Sequence, residues 1–204
     1  MEYVVAIIIG YLLGSINPAY LFGRMKGFDI RERGSKSAGA SNAKICLGWG
    51  YFIVVVAYDI LKSIIAVLLI RFLFKDAYLA SIIAGLSAII GHCYPFYLDF
   101  KGGKGFASYI GFSFIVDWKC CLIILVASLV LALIFNYIVV STASMIIGFP
   151  IAILFLEASI FVVIIMAIGS FVVLWKHRIN AVKFLSKQEI GINGKMVGIN
   201  LLKP

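Results

Sequence analysis

From Trp118 to Trp175 the chain carries Lys119 and Glu157 and no other ionised side chain. Three apolar runs, 118–135, 139–156 and 158–175, fill that stretch. Each approaches the ~20 residues with which an α-helix crosses a hydrocarbon core. Inside a bilayer the backbone has no water to bond, and a helix satisfies its own amides and carbonyls. The runs 3–22 and 49–74 are also long enough, the second despite Asp59 and Lys62, whereas 78–90 and 105–116 are short. Hydrophobic residues make up 63% of the 204 positions and charged ones 13%. A soluble domain is roughly 45–50% apolar and about 25% charged. The expected fold is therefore an all-α polytopic membrane protein with seven transmembrane helices, forming one integral-membrane domain over 1–204. The run 3–22 has no basic segment before it and is followed by charge, not by a cleavage site, so it is expected to remain as the first helix.

Charge placement gives the orientation. With seven spans and the N-terminus outside, the inner segments are 23–48, 91–104, 136–138 and the tail from 176. They hold fourteen of the eighteen Lys and Arg, the outer segments hold Arg71, Lys75 and Lys119, and Lys62 lies within a span. Lys and Arg accumulate on the cytoplasmic side of membrane proteins, so the C-terminus is expected in the cytoplasm. An even number of spans would put segment 23–48 or the tail outside. The net charge of +9 reflects this bias and gives no reason to invoke nucleic acid. Cys46, Cys93, Cys120 and Cys121 form no C-x-x-C, and neither a metal site nor a disulfide is expected.

Every polar cluster then falls on the inner side. Gly91 to Ser108 holds His92, Lys101, Gly102, Gly103, Lys104 and Gly105 between two apolar runs. Glycine lets the backbone turn its amides toward an anion, and lysine supplies the charge. The stretch does not satisfy G-x-x-x-x-G-K-[ST], so nucleotide binding is not indicated. Gly34, Ser35, Gly39, Ser41 and Asn42 form a second run able to wrap a phosphate with amides and hydroxyls, aided by a following helix N-terminus; a plain solvated loop is the alternative. Asp59 and Lys62 share one helical face, either as a structural ion pair or as ligand contacts. Ser141, Thr142 and Ser144 open the sixth span, where capping and close packing are the other use of such residues. His177 and Asn180, three apart after the last span beside Lys176 and Arg178, can both face one site.

Three segments carry a resemblance: Gly14–Asn42 with Arg-x-x-Gly-Ser and Gly-Ala-Ser-Asn, Gly91-His-x-Tyr-Pro through Phe100-Lys-Gly-Gly-Lys-Gly, and His177-Arg-x-Asn180 with Glu189 downstream. Along essentially its full length the chain resembles the bacterial membrane acyl-phosphate:glycerol-3-phosphate acyltransferases. The resemblance implies seven membrane helices and one cytoplasmic site in a multi-pass protein of the bacterial plasma (inner) membrane. It also implies transfer of a fatty acyl group from acyl-phosphate to glycerol 3-phosphate, giving lysophosphatidic acid and phosphate without metal, nucleotide or other cofactor. Two positions depart from the family pattern. Its Gly-Asn after Gly-Ser is Lys36-Ser37 here, and its Arg three residues beyond the Asn is Ile45, next to Lys44.

An acyl-phosphate is an activated anhydride, so the protein has mainly to position a hydroxyl and stabilise charge. Gly34, Ser35, Gly39, Ser41, Asn42, His92, Lys101, Gly102, Gly103, Lys104 and Arg178 are expected to bind the two anionic substrates. His177, as base or orienter, is expected to act with Asn180, Ser141 and Ser144; the substrate phosphate can take the proton instead. No Ser or Cys has a nucleophile-elbow context, which favours direct transfer. No Asp lies five residues beyond either His, which disfavours the mechanism of the soluble acyltransferases. Two other readings stand beside this one: a transporter of phosphorylated small molecules and a catalytically impaired paralogue.

Overall fold

Asn17-Pro18 divides the first apolar run. The computed structural model describes residues 1–156 and 158–186. In it α1 covers Glu2–Ser15 and α2 covers Pro18–Met25. Proline restricts the residue before it to extended backbone and fits the first helical position, where its missing N–H is no loss. Asn17 is accordingly extended, and its side chain caps α2 by accepting from the Tyr20 amide at 2.9 Å. The single helix expected over 3–22 is thus two, because local backbone chemistry overrides continuous hydropathy at that joint.

The remaining helices are α3 (Ala40–Leu47), α4 (Trp49–Leu73), α5 (Tyr78–Cys93), α6 (Phe106–Val116), α7 (Trp118–Phe135), α8 (Ile138–Phe155) and α9 (Ile160–Leu185). Short 3-10 turns lie at Ile30–Glu32 and Phe96–Leu98. Among the described residues there are six stretches long and apolar enough to cross a membrane: α1 with α2, α4, α5 with its 3-10 turn, α7, α8 and α9. The helix α6 has eleven residues, about 16 Å at 1.5 Å per residue, well short of a ~30 Å core. It runs inside the bundle, with Tyr109 and Phe112 fully buried. Two spans run further than their hydropathy suggests. The helix α5 continues through His92 to Cys93, and α9 continues ten residues past Trp175.

Small residues set the closest helix contacts. On α1, Gly10 and Gly14 lie against the backbone of α5, where an added Cβ would strike the carbonyls of Ala84 and Ala88. Membrane helices approach this closely through small residues because lipid is as apolar as leucine and gives no hydrophobic drive. The main core joins α5 to α9 through Ile89, Tyr109, Phe112, Met145, Ile146, Phe149 and Met166. Within it the Tyr109 hydroxyl meets Ser170 Oγ at 2.8 Å, and Ser170 donates to the Ile146 carbonyl at 2.7 Å, tying α6, α8 and α9 together. Gly48, at φ +101°, separates α3 from α4; glycine adopts that conformation without the penalty other residues carry. One end of the bundle therefore carries the loop 26–39 with α3, the loop 94–105 and the last turns of α9.

Candidate active site

The first loop is organised by one side chain. Asn42, on α3 and 1% exposed, donates from Nδ2 to the carbonyls of Ile30 (2.7 Å), Arg33 (3.0 Å) and Ser37 (2.9 Å). Its Oδ1 accepts from the Ser35 amide at 2.7 Å. Gly34, at φ +57°, lies so close that a Cβ there would strike Asn42 Oδ1. The amide expected to bind substrate is thus committed to the loop's own backbone, while Gly34, Ser35 and Ser41 are exposed. Gly39 caps α3 and faces Gly103 of the second loop.

Arg31 joins the two loops. Its guanidinium pairs with Asp29 (Nη2–Oδ2 2.7 Å) and donates from Nη1 to the Leu98 carbonyl at 2.7 Å. The fork of donors on Asp29 holds its carboxyl below the ordinary carboxylate value and raises the guanidinium in turn. Asn17 adds a second tie, donating to the Ala38 carbonyl at 2.8 Å. Where the family pattern has Gly, Lys36 occupies the left-handed region at φ +56°. Ile45 is 64% exposed, and Lys44 stacks on Trp49 with its Nζ 3.9 Å from the ring centre.

In the second loop the Gly102 amide donates to the Cys93 carbonyl (3.2 Å) and the Gly103 amide to the His92 carbonyl (3.1 Å), folding the Gly pair back onto the end of α5. A Cβ at residue 103 would strike His92 Nε2. His92, expected as a substrate contact, is 3% exposed and lies behind this glycine. Its Nδ1 is 2.8 Å from Lys62 Nζ and 3.3 Å from Asp59 Oδ1. Lys62 Nζ also lies 2.8 Å from Asp59 Oδ1, an ion-pair contact without the alignment of a hydrogen bond. Lys101 is exposed. Lys104 reaches α9, donating to Asn180 Oδ1 at 2.6 Å across 76 residues of sequence.

On α9, His177 Nδ1 lies 2.8 Å from the Val173 carbonyl. A carbonyl only accepts, so Nδ1 carries the proton and the neutral ring keeps a lone pair on Nε2. Lys176 donates to the Cys93 carbonyl at 2.9 Å, fixing α9 to the end of α5. Arg178 points elsewhere: it is exposed, stacks over Trp175 at 4.8 Å and bonds that residue's own carbonyl. On α8, Ser141 is buried, and the Ser144 hydroxyl donates to the Val140 carbonyl of the preceding turn. Ser144 also lines an apolar groove of about 550 Å³ between α8 and α9, with Val140, Ala143, Ile147, Gly148, Ala181 and Phe184. Tyr137 packs edge-on against Phe184 at 4.9 Å at one end of this groove.

The structure therefore brings Lys104, His177 and Asn180 together beside the Gly39–Gly103 contact. It sets Asn42 and His92 behind the loops and turns Arg178 away. Glu189 lies outside the described residues. Asn17, Arg31 and Lys176 hold the loops but were not among the expected site residues. Of these, only Asn17 has a local signal, the Asn-Pro dipeptide that opens α2.

The profile of the family described as glycerol-3-phosphate acyltransferase matches residues 4–187. Glycerol-3-phosphate acyltransferase 1 of Oceanobacillus iheyensis is 34% identical over 198 residues, covering 93% of this chain and 94% of that protein. A Synechococcus glycerol-3-phosphate acyltransferase is 38% identical, covering 92% and 94%. Among solved structures, the integral membrane glycerol 3-phosphate acyltransferase PlsY (YgiH) in its glycerol 3-phosphate form superposes with a TM-score of 0.87 at 28% identity, covering 94% of this chain and 96% of that one. Its lysophosphatidic acid form gives a TM-score of 0.85 at 27% identity. The helical membrane fold is thus that of a known enzyme family, and this chain belongs to the glycerol-3-phosphate acyltransferases.

Proposed function

We propose that the chain, working as one domain, transfers a fatty acyl group from acyl-phosphate to glycerol 3-phosphate, with its site at the cytoplasmic face of the plasma membrane. The observation that carries this reading is the Lys104–Asn180 bond, which sets a cation beside the His177 turn of α9, the helix that also lines an apolar groove through Ala181 and Phe184. Both substrates are anions and one has a long tail, so charge and groove match the pair. Seven membrane helices are inferred by counting the buried α6 with the six longer stretches. The N-terminus then lies outside and all three polar segments inside, as the fourteen-to-three division of basic residues favours.

Lys104, the amides of the Gly39–Ser41 turn at the N-terminus of α3, and Ser35 receive the donor phosphate, where helix-end amides and a lysine suit an anion. The donor's tail lies in the α8–α9 groove. His177 Nε2 accepts a hydrogen bond from the attacking hydroxyl of glycerol 3-phosphate, and Asn180 fixes the same hydroxyl's approach. The hydroxyl oxygen bonds to the acyl carbon, the bond from that carbon to the phosphate oxygen breaks, and inorganic phosphate leaves with the proton the hydroxyl gave up. Orientation of the hydroxyl and stabilisation of the departing charge carry most of the rate.

Product analysis with the purified protein tests this, supplying acyl-phosphate, acyl-CoA and acyl carrier protein in turn as donor with glycerol 3-phosphate as acceptor. Lysophosphatidic acid from acyl-phosphate alone is expected. Formation from acyl-CoA at equal rate, or no product from any donor, would overturn the reading.

A further inference from the structure

Asp59, Lys62 and His92 form a buried charged node that no step of the reaction above uses. All three are 2–3% exposed, so none reaches a substrate in this conformation. A buried ion pair adds little stability over an apolar pair of the same size, and ionisable groups at membrane depth are costly. Two charges kept there point to a role other than holding the bundle together.

The contacts indicate what that role is. An ammonium has three N–H groups and no lone pair. Lys62 directs two of them at the Ile16 carbonyl (3.1 Å) and His92 Nδ1 (2.8 Å), and its nitrogen lies 2.8 Å from Asp59 Oδ1 as an ion-pair contact. Because Nδ1 is the acceptor, the ring proton is on Nε2, and that edge of the ring meets Gly103. The same residue's carbonyl holds the Gly103 amide at 3.1 Å. Lys104 follows directly. On its other side Lys62 grips Ile16, in the break between α1 and α2, and the next residue, Asn17, holds Ala38 of the first loop. That carbonyl of Ala38 in turn lies against Gly103. One buried ammonium therefore fixes both anion-facing loops from behind.

We propose that Asp59 and Lys62 are positioning residues for acyl transfer, acting through His92 and Gly103 to fix the place of Lys104. The proposal rests on the acyltransferase reading for its kinetic arm only. Asp59→Asn and Lys62→Met, singly and paired, are made in the wild-type and Lys104→Ala backgrounds, and kcat and KM are measured with acyl-phosphate and glycerol 3-phosphate. In parallel, purified protein without substrate is pulsed with acetic anhydride, and acetylation of Lys104 is measured by peptide mass spectrometry against exposed Lys44.

The single variants are expected to lose tenfold or more in kcat/KM in the wild-type background and less than twofold when Lys104 is already alanine. The Lys104 labelling rate is expected to change at least threefold relative to Lys44, with the thermal midpoint in detergent still showing a cooperative fold. Equal losses in both backgrounds, or unchanged Lys104 labelling, would overturn the proposal. If the single variants do not fold, the pair, which leaves no lone buried charge, is read by the same two measurements, and after it Asp59→Glu. Failure of all of them to fold would mark the node as structural and overturn the proposal. If the wild-type protein makes no lysophosphatidic acid, the acyltransferase reading fails while the labelling arm still decides the node.

Discussion

Replacing Asn42 with alanine separates a loop-building side chain from a substrate-binding one. The change removes two N–H groups shared among three backbone carbonyls and one acceptance from the Ser35 amide. A buried hydrogen bond contributes roughly 0.5–1.5 kcal/mol net. Ser35 and Arg33 are exposed and regain water when the bond is lost, whereas Ile30 is buried and does not. Local opening of the loop should therefore become easier by about 2–3 kcal/mol, and amide exchange across 30–42 faster by roughly thirty- to a hundred-and-fifty-fold, at 1.4 kcal/mol per factor of ten. Asn42→Asp should be worse than alanine, because a carboxylate would face three carbonyls with no donor. The assay is hydrogen exchange on detergent-solubilised protein without substrate, read alongside the KM for each substrate. Unchanged exchange with a raised KM would refute the reasoning and return Asn42 to direct substrate contact.

Lowering the pH tests the Asp29–Arg31 tie. Its folded carboxyl titrates below the ordinary value of 3.8, so the stabilisation is complete above that value and is lost as pH falls through the lowered one. Exchange protection at residues 29–33 should fall with acid in the wild-type protein and show a flatter pH profile in Asp29→Asn. Lys36→Gly should stabilise the protein: the left-handed backbone costs a non-glycine residue about 1–2 kcal/mol and glycine's extra chain entropy about 0.5–1. A net gain of about 0.5–1 kcal/mol corresponds to a rise in Tm of roughly 1–4 °C, and a fall would show that Lys36 is held there by a contact worth more than the strain. Ala143→Leu should narrow the α8–α9 groove that Ala143 lines. Long-chain donors should then lose about tenfold relative to medium-chain ones, the equivalent of roughly two methylenes at ~0.8 kcal/mol each. An unchanged chain-length profile would place the tail elsewhere.

Helix content and the polar segments were legible because hydropathy and residue type are local properties. Continuous apolarity hid the α1–α2 joint, where Asn17 and Pro18 act on the backbone and not on average hydropathy. The end of α9 was hidden for a different reason. Lys176, His177 and Arg178 look like the end of a span. Yet Phe171, Trp175, Ile179, Val182 and Leu185 are exposed apolar residues at helical spacing, which keep one face greasy for three more turns. In the site, sequence identified polar residues but not what satisfies them. Asn42 and Ser35 both suit an anion, and only the folded loop shows the first spent on carbonyls and the second left open. His92 and His177 have similar surroundings in sequence, and the fold puts one beneath Gly103 and leaves the other with a free Nε2. The Lys104–Asn180 contact depends on α5, α6 and α9 packing together, which no local pattern encodes.

The groove beside Ser144 and Gly148 lies between α8 and α9, two helices long and apolar enough to cross a membrane. If the donor's tail lies there, as proposed, and the groove opens to the leaflet, a fatty chain enters and leaves it without ever being wetted. Drawing ~15 methylenes into water would cost about 12 kcal/mol, a barrier that sideways exchange removes. Supply of donor and departure of product then become two-dimensional diffusion, and the small phosphorylated acceptor is the one reactant that must come from the aqueous side.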